Sequence, residues 1–273
     1  MQSPESKVCV YNSTNKLNTG LIKNRVIENL YKLLMYGVIF ILWFALAKHY
    51  NNSLLLPTPA KTISALGSCL VSAEVMANLL LTIKRVLLGF LIAFVIGVPL
   101  GFLMGYFKTA EKLLGGFINS IRQVPIMAWV PLTIVWFGIG DGPTLFLIAF
   151  SGVFPIILNT VEGVKNISKD YYNAAKSMGA SRWSIFIDII VPSTIPNILT
   201  GSRIAVSSGW MSVICAEFIA TSAGLGFSMV EAQTRMETEV LIALMILSAI
   251  VGYCIDRVIQ FANKSLTKWR FVQ

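Results

Sequence analysis

The sequence predicts an all-α integral membrane protein with about six transmembrane helices. Hydrophobic residues make up 55% of the 273 residues and charged residues 13%, and the mean hydropathy is +0.72. Several apolar runs reach the ~20 residues that cross a bilayer as a helix. Long segments of alternating polarity, typical of a membrane β-barrel, are absent from the sequence. We place the six spans at about residues 33–50, 83–107, 115–138, 143–162, 195–219 and 240–261.

The segments between these spans are short and leave no room for a second soluble domain. We expect a polar cytoplasmic tail at 1–32, an external loop with room for a short helix at 51–82, a transmembrane core at 83–262 and a cytoplasmic tail at 263–273. Ala45-Leu46-Ala47 imitates a signal-peptidase site. Because the polar region before the apolar run exceeds thirty residues and the run continues to the full width of a bilayer, we expect an uncleaved first span.

The distribution of basic residues predicts the orientation of the chain. Fifteen lysines and arginines lie in the two tails, between spans two and three, and in the 163–192 loop, against five, Lys84 and Arg85 among them, on the other side. The positive-inside rule then places both termini and the 163–192 loop in the cytoplasm. The net charge of +9 is explained by membrane anchoring, and no basic cluster with interleaved aromatic residues indicates a nucleic-acid surface.

The cysteines and the single histidine give no sign of a metal site or a disulfide framework. They fall in different segments without CxxC spacing. These residues are Cys9, His49, Cys69, Cys215 and Cys254. We interpret them as packing and interfacial residues.

Span two carries a small residue at every fourth position, which places a narrow groove along one helix face. These residues are Gly89, Ala93, Gly97, Gly101 and Gly105. Such a groove allows another helix to approach at backbone distance. Pro99 within the span favours a bend.

Span three contains Pro125 and Pro131, which remove backbone donors and make a straight helix improbable. Arg122 lies just inside the cytoplasmic boundary of this span, either as an anchor that snorkels to the interface or as a residue of a translocation path. We include Trp129 among the candidate path residues.

Span five holds two charges in an apolar setting, Arg203 and Glu217, with Ser207 and Trp210 between them. Fourteen residues correspond to about 21 Å along a helix, so the two charges cannot pair with each other within one straight helix. Because a charge facing hydrocarbon is costly, each faces a path or gate, or pairs with another span. Both interpretations stay open.

The 163–192 loop has a helical pattern of its own. Two adjacent alanines, Ala174 and Ala175, precede Gly179, which predicts a short helix with a close-packing face and a stop. Ser181 is placed to cap a second short helix, which we expect to end at Pro192 and Pro196.

This loop resembles the EAA signature, E-A-A-x3-G-x9-I-x-L-P, of permease subunits of ABC importers, with Asn173 in place of the glutamate and Val191 in place of the leucine. The resemblance extends over roughly residues 55–271 to permeases for nitrate, taurine, aliphatic sulfonates and bicarbonate. The further motifs that carry it are Gln123–Gly140, Leu199–Arg203, Ala216-Glu217, Gly224-Leu225-Gly226 and Lys268-Trp269-Arg270.

The resemblance implies the type I ABC importer permease fold, with the loop as a coupling helix that docks into an ATPase. It assigns coupling to Asn173, Ala174, Ala175, Gly179 and Pro192. It also implies two ATPase subunits that bind ATP, a second permease copy, most simply an identical one, and an extracytoplasmic binding protein. The expected substrate is a small anion such as a sulfonate, taurine, nitrate or bicarbonate, although thiamine-precursor and riboflavin importers have similar permeases.

The sequence has no G-x-x-x-x-G-K-[ST] loop and no nucleophile–base–acid constellation, so we expect a transport subunit without an enzymatic site or cofactor of its own. The alternative from another class is an ion-coupled secondary transporter. It would use intramembrane carboxylates as coupling sites, for which Glu217 and Asp256 are the candidates.

Overall fold

The computed structural model describes residues 30–31 and 33–266. Every regular element in this part of the chain is a helix, which confirms the all-α class. The helices are α1 (Leu33–Tyr50), α2 (Pro59–Val71), α3 (Ala73–Tyr106), α4 (Lys108–Ile121), α5 (Val130–Phe137), α6 (Asp141–Lys165), α7 (Lys169–Ser177), α8 (Arg182–Ile185), α9 (Val191–Ala220), α10 (Leu225–Thr234) and α11 (Thr238–Leu266). The predicted N-terminal tail and the Lys268-Trp269-Arg270 motif lie outside the described residues.

Among the described residues, five helical segments are long and apolar enough to cross a membrane. They are α1, α3, α6, the continuous run Arg182–Ala220 and α11. The expected third span is a broken pair, because α4 and the segment Ile126–Phe137 meet at 91°. Pro125 lies at this break and Pro131 lies in the first turn of α5, so the span is not one straight helix, as predicted from their missing N–H groups. The count of six spans holds if the pair crosses as one.

The second span begins ten residues earlier than predicted. Ser72 caps α3, and its side chain accepts a hydrogen bond from the amide of Val75 at 3.4 Å. The expected external loop at 51–82 contains α2, the short helix for which it had room, and also the first turns of α3. With 34 residues, α3 is about 51 Å long, so it extends beyond a hydrocarbon core of about 30 Å.

The prediction that the second loop helix ends at Pro192 and Pro196 was wrong. A π-helical turn at Phe186–Ile190 follows α8 and continues directly into α9, which contains both prolines. A proline cannot donate to the carbonyl four residues before it, and its ring crowds that carbonyl. A wider turn immediately before Pro192 accommodates it without ending the helix.

The chain divides into a short unit that ends at Ile63 and a main unit that begins at Ser64. Within the first, the indole N–H of Trp43 donates to the carbonyl of Pro57 at 3.2 Å. Within the second, α6 is the central helix and packs most extensively against α3 and α9. The cavities, ion pairs and coupling segment described below all belong to the main unit.

Candidate functional site

The small residues of α3 face α6. A Cβ atom on Gly89 would lie 2.5 Å from Ile148, and one on Gly101 would lie 2.5 Å from Thr160. Gly97 and Gly105 approach Ile156 and Val164 in the same way, at 2.9 and 2.8 Å. Ala93 completes the row opposite Gly152. The groove expected on span two therefore lies where α6 crosses, and it fixes the position of the helix that also lines the polar cavity described below.

A buried polar network joins α3, α6, α9 and α10. Arg85 donates to Asp141 through Nε (2.8 Å) and Nη2 (2.6 Å), and to Glu217 through Nη1 (2.7 Å). Glu217 is fully buried and also accepts from the hydroxyl of Thr82 and the amide of Gly226, both at 2.9 Å. Every charge in the network has a partner, which a charge in a membrane interior requires.

This network bears on two expectations. Glu217 pairs with Arg85 of another span, one of the two interpretations left open, and it does not line the polar cavity described below. Arg85 is 5% exposed and therefore does not belong among the external surface charges. The same carboxylate explains why glycine occupies position 224 in the Gly224-Leu225-Gly226 turn. A Cβ atom at this position would lie 2.3 Å from the Glu217 carboxylate.

Arg203 pairs with Asp256 of α11 rather than standing free in a path. Its Nε and Nη2 donate to the two carboxylate oxygens at 2.6 and 3.0 Å, and Gln260 donates to the same carboxylate at 2.8 Å. The fork of the guanidinium matches the carboxylate geometry. Arg203 and Glu217 were each expected either to face a path or gate or to pair with another span. In the structure both pair with a residue of another span.

A polar cavity of about 640 Å³ lies between the α4–α5 break, α6 and α9. Its polar lining consists of one cation, two amides and three hydroxyls, without a carboxylate. These residues are Arg122, Gln123, Ser151, Asn159, Ser208 and Ser212. Of the candidate path residues, only Arg122 lies here. Its guanidinium has no carboxylate partner in the described part of the chain.

Ser207 and Trp210 line a different cavity, an apolar one of about 830 Å³ between α9, α10 and α11. Trp210 packs against α11, where a Cβ atom on Gly252 would lie 2.7 Å from its indole nitrogen. Trp129 packs on Phe150 with ring centroids 4.8 Å apart, and its buried indole nitrogen has no acceptor within the described residues. The six path candidates therefore do not form one site.

The coupling segment forms the predicted short helix, α7, with Ser168 as its N-cap. Its C-terminus is a Schellman motif, in which Ala180 donates to the carbonyl of Ala175 and Gly179 to that of Lys176, both at 3.0 Å. Gly179 has φ +81°, a conformation that glycine adopts without strain. The glycine stop was correctly placed.

The two alanines of α7 differ in their surroundings. Ala174 is exposed and shares a helix face with Tyr171 and Met178, which are 64% and 86% exposed. Ala175 packs inward against a cluster of aromatic and aliphatic side chains that includes Phe102, Tyr106, Tyr172 and Phe186. Burial beside Tyr106 raises the pKa of the Tyr172 phenol, which keeps it neutral. Asn173 is exposed, and Pro192 lies in the first turn of α9.

Several residues of this arrangement gave little signal in the sequence. Arg85, Thr82 and Asp141 meet only through the tertiary fold, and Ser208 and Asn159 are common residue types in membrane helices. The charge of Arg85 inside a long apolar helix was the one signal that could have predicted a buried pair.

A helical membrane bundle with a polar cavity beside a central helix, and an exposed helix between two spans, is compatible with a membrane transport subunit. Residues 97–268 match the family described as "Binding-protein-dependent transport system inner membrane component". The chain belongs to this family and is a multi-pass membrane permease subunit of an ABC importer.

Similar proteins agree with this assignment. A putative ABC transporter permease protein of Methanocaldococcus jannaschii is 34% identical over 91% of this chain and 95% of its own length. The putative aliphatic sulfonates transport permease protein SsuC of Escherichia coli K12 is 33% identical, over 85% of this chain and 89% of that protein. A structure of the MetNI methionine ABC transporter, in an inward-facing conformation, superposes with a TM-score of 0.61 at 19% identity, over 72% of this chain and 98% of that chain. At this level of identity, the similarity to the MetNI structure shows a shared fold.

Proposed function

We propose that this permease forms half of a translocation path for a small anion. The observation that carries the proposal is the polar cavity, in which Arg122 and neutral amides and hydroxyls line the wall without a carboxylate. Such a lining attracts a negative solute and contains no negative charge that would repel it. The sulfonate transport named for the relative in Escherichia coli agrees with this charge, and a sulfonate is our first candidate substrate.

The other half of the path would come from a second copy of the chain. Ile204, Met211 and Phe218 recur every seven residues on α9 and are 45%, 73% and 41% exposed. Met211 borders both the polar and the apolar cavity. A partner packed along this stripe would close the polar cavity from the open side, so we propose a homodimer.

Energy would come from two ATPase subunits that bind ATP and contact α7 on the cytoplasmic side, and substrate from an extracytoplasmic binding protein. The basic-residue distribution supports this orientation, with both termini in the cytoplasm, even after Arg85 is removed from the external group. A secondary transporter is disfavoured, because Glu217 and Asp256 are both held by arginines. Neither carboxylate lines the polar cavity.

Cysteine accessibility tests the path. After the native cysteines are replaced, Ser208→Cys and Asn159→Cys should react with a water-soluble thiol reagent, and the rate should change when ATP is added to the assembled importer. Val213→Cys, on the fully buried face of the same helix α9, is the matched control and should stay unreactive. Inert cysteines at 208 and 159 in both states would refute the path.

Substrate charge is tested separately on the assembled importer in vesicles. Arg122→Gln should lower uptake of a radiolabelled sulfonate, whereas Arg122→Lys should retain most of it. Unchanged uptake by Arg122→Gln would remove the anion argument while leaving the path intact.

A further inference from the structure

An open groove of about 670 Å³ lies between the C-terminal end of α3 and the segment that follows the coupling helix. Its walls are largely aromatic. Phe186 is the centre, with ring centroids 5.5 Å from Phe102, 6.0 Å from Tyr106 and 5.8 Å from Trp183, which stacks on it. Neither the proposed path nor the coupling contact uses this groove.

The groove follows the C-terminal turns of the membrane helix α3, and we call its Val98 end deep and its Tyr106 end shallow. Val98 lies at its deep end and Tyr106 is the last residue of α3, a separation of about 12 Å along the helix by the α-helical rise. Trp183 and Phe107, at the shallow end, are 70% and 53% exposed. Tryptophan and tyrosine at this level are typical of the interface between acyl chains and headgroups. An occupant must therefore be apolar at one end and polar at the other.

The charge at the shallow end is positive. Arg182 lines the groove, and Lys108 follows Phe107 directly. Both side chains are exposed, and neither has a carboxylate partner among the described residues. Nearby Lys165, by contrast, pairs with Glu111. The occupant that complements this end is therefore an anion.

We propose that the groove binds an anionic phospholipid, with one acyl chain along Phe102 and Tyr106 and the phosphate-bearing headgroup at Arg182. Basic pockets beside membrane helices at the cytoplasmic surface bind such headgroups. The site also bears on coupling, because Phe102, Tyr106 and Phe186 belong to the cluster against which Ala175 of α7 packs. A bound lipid fills the open side of that cluster and holds the coupling helix in place.

Quenching of tryptophan fluorescence by lipids brominated in the acyl chain tests the proposal on the full-length protein in nanodiscs. Brominated phosphatidylglycerol and brominated phosphatidylcholine are each titrated into unlabelled phosphatidylcholine. The chain has 6 tryptophans, so the signal of Trp183 is taken as the difference between the wild type and Trp183→Phe.

We expect half-maximal quenching of Trp183 at a lower fraction of the anionic lipid, by about fivefold for each of the two basic residues, the ratio that corresponds to about 1 kcal/mol per basic residue at a membrane surface. Arg182→Gln should lower this preference, its combination with Lys108→Gln should remove it, and Arg182→Lys should keep it. Lys264→Gln, an exposed lysine near the end of α11, is the matched control and should leave the preference unchanged.

Equal quenching by the two lipids, or a preference that Arg182→Gln leaves unchanged, would overturn the proposal. Loss of the lipid quenching of Trp183 when the ATPase binds would also overturn it, since the groove would then belong to the subunit interface. Because Trp183 is largely exposed, its replacement should preserve the fold, and an unchanged elution volume in size-exclusion chromatography verifies this.

Discussion

A Cβ atom added to Gly101 at the α3–α6 crossing would lie 2.5 Å from Thr160, whereas one added to Gly179 in the coupling segment would meet nothing within 4 Å. Both are glycines of the same chain, and they serve different needs. Gly101 provides space for a neighbouring helix, while Gly179 provides a backbone conformation. The two glycines therefore mark two kinds of region, one where helices pack closely on each other and one where the surface is open.

The same contrast holds between the interior of the bundle and α7. In the network of α3, α9 and α10, Glu217 is fully buried and pairs with Arg85. In α7 no residue is fully buried, and one whole face is exposed. Substitutions in the first region should therefore destabilise the fold, and substitutions on the exposed face of α7 should affect transport while the fold stays intact.

The largest loss of stability is expected for Arg85→Met. It leaves Glu217 buried without its cation, at a cost of about 3–5 kcal/mol for a broken buried pair. Arg235→Met, which removes an exposed pair with Glu231, is the control and should change little. Thermal unfolding in detergent measures both. Equal unfolding temperatures for the two variants would show that the buried network is not a stability determinant.

The next largest effect is expected for Gly101→Leu. Its side chain must push Thr160 and α6 away, and overpacking of this kind costs about 1–3 kcal/mol or more. Gly97→Leu should behave alike against Ile156. Gly116→Leu in α4, where a Cβ atom meets nothing within 4 Å, is the matched control. The yield of folded protein after size-exclusion chromatography and its unfolding temperature report the result, and normal values for Gly101→Leu would contradict the close crossing.

A smaller effect is expected for Gly179→Ala. The added methyl group meets no neighbour, so only the cost of the left-handed conformation remains, about 1–2 kcal/mol and local to the end of α7. Gly179→Asn should cost less, because asparagine tolerates this conformation. Hydrogen exchange of the α7 amides measures the fraying. Identical exchange in the wild type and the alanine variant would argue against a helix stop at this residue.

The smallest change in stability, with the sharpest change in function, is expected for Ala174→Arg. Ala174 is exposed beside Tyr171 and Met178, so the arginine should fit in the free permease but hold the ATPase away and abolish ATP-driven uptake. Ala175→Arg is the informative contrast, because Ala175 packs inward and this variant should also unfold at a lower temperature. Full uptake by Ala174→Arg would refute the docking face.

A further prediction concerns Asn173, which stands at the position of the family glutamate, and it is about ATPase binding rather than stability. An amide makes weaker hydrogen bonds than a carboxylate, so Asn173→Glu should preserve or strengthen ATPase binding. The affinity of the purified ATPase for the permease in nanodiscs measures this. Weaker binding by the glutamate variant would show that this coupling contact has diverged from the family pattern.

By itself the sequence determined the features that depend on local chemistry and spacing. Apolar length predicted the membrane helices, prolines six residues apart predicted the broken span, and glycines four residues apart predicted the groove. The Ser181 cap and the Gly179 stop are predictable in the same way, because they follow from the side-chain and backbone preferences of single residues.

Only the tertiary structure decided which residues meet. Arg85 and Glu217 are 132 positions apart and Arg203 and Asp256 are 53 apart, so helix periodicity contains no information about either pair. The same holds for the polar cavity. Ser207 and Ser208 are neighbours in sequence but border different cavities, because each residue of a helix turns by about 100° and a neighbouring helix determines what each face meets.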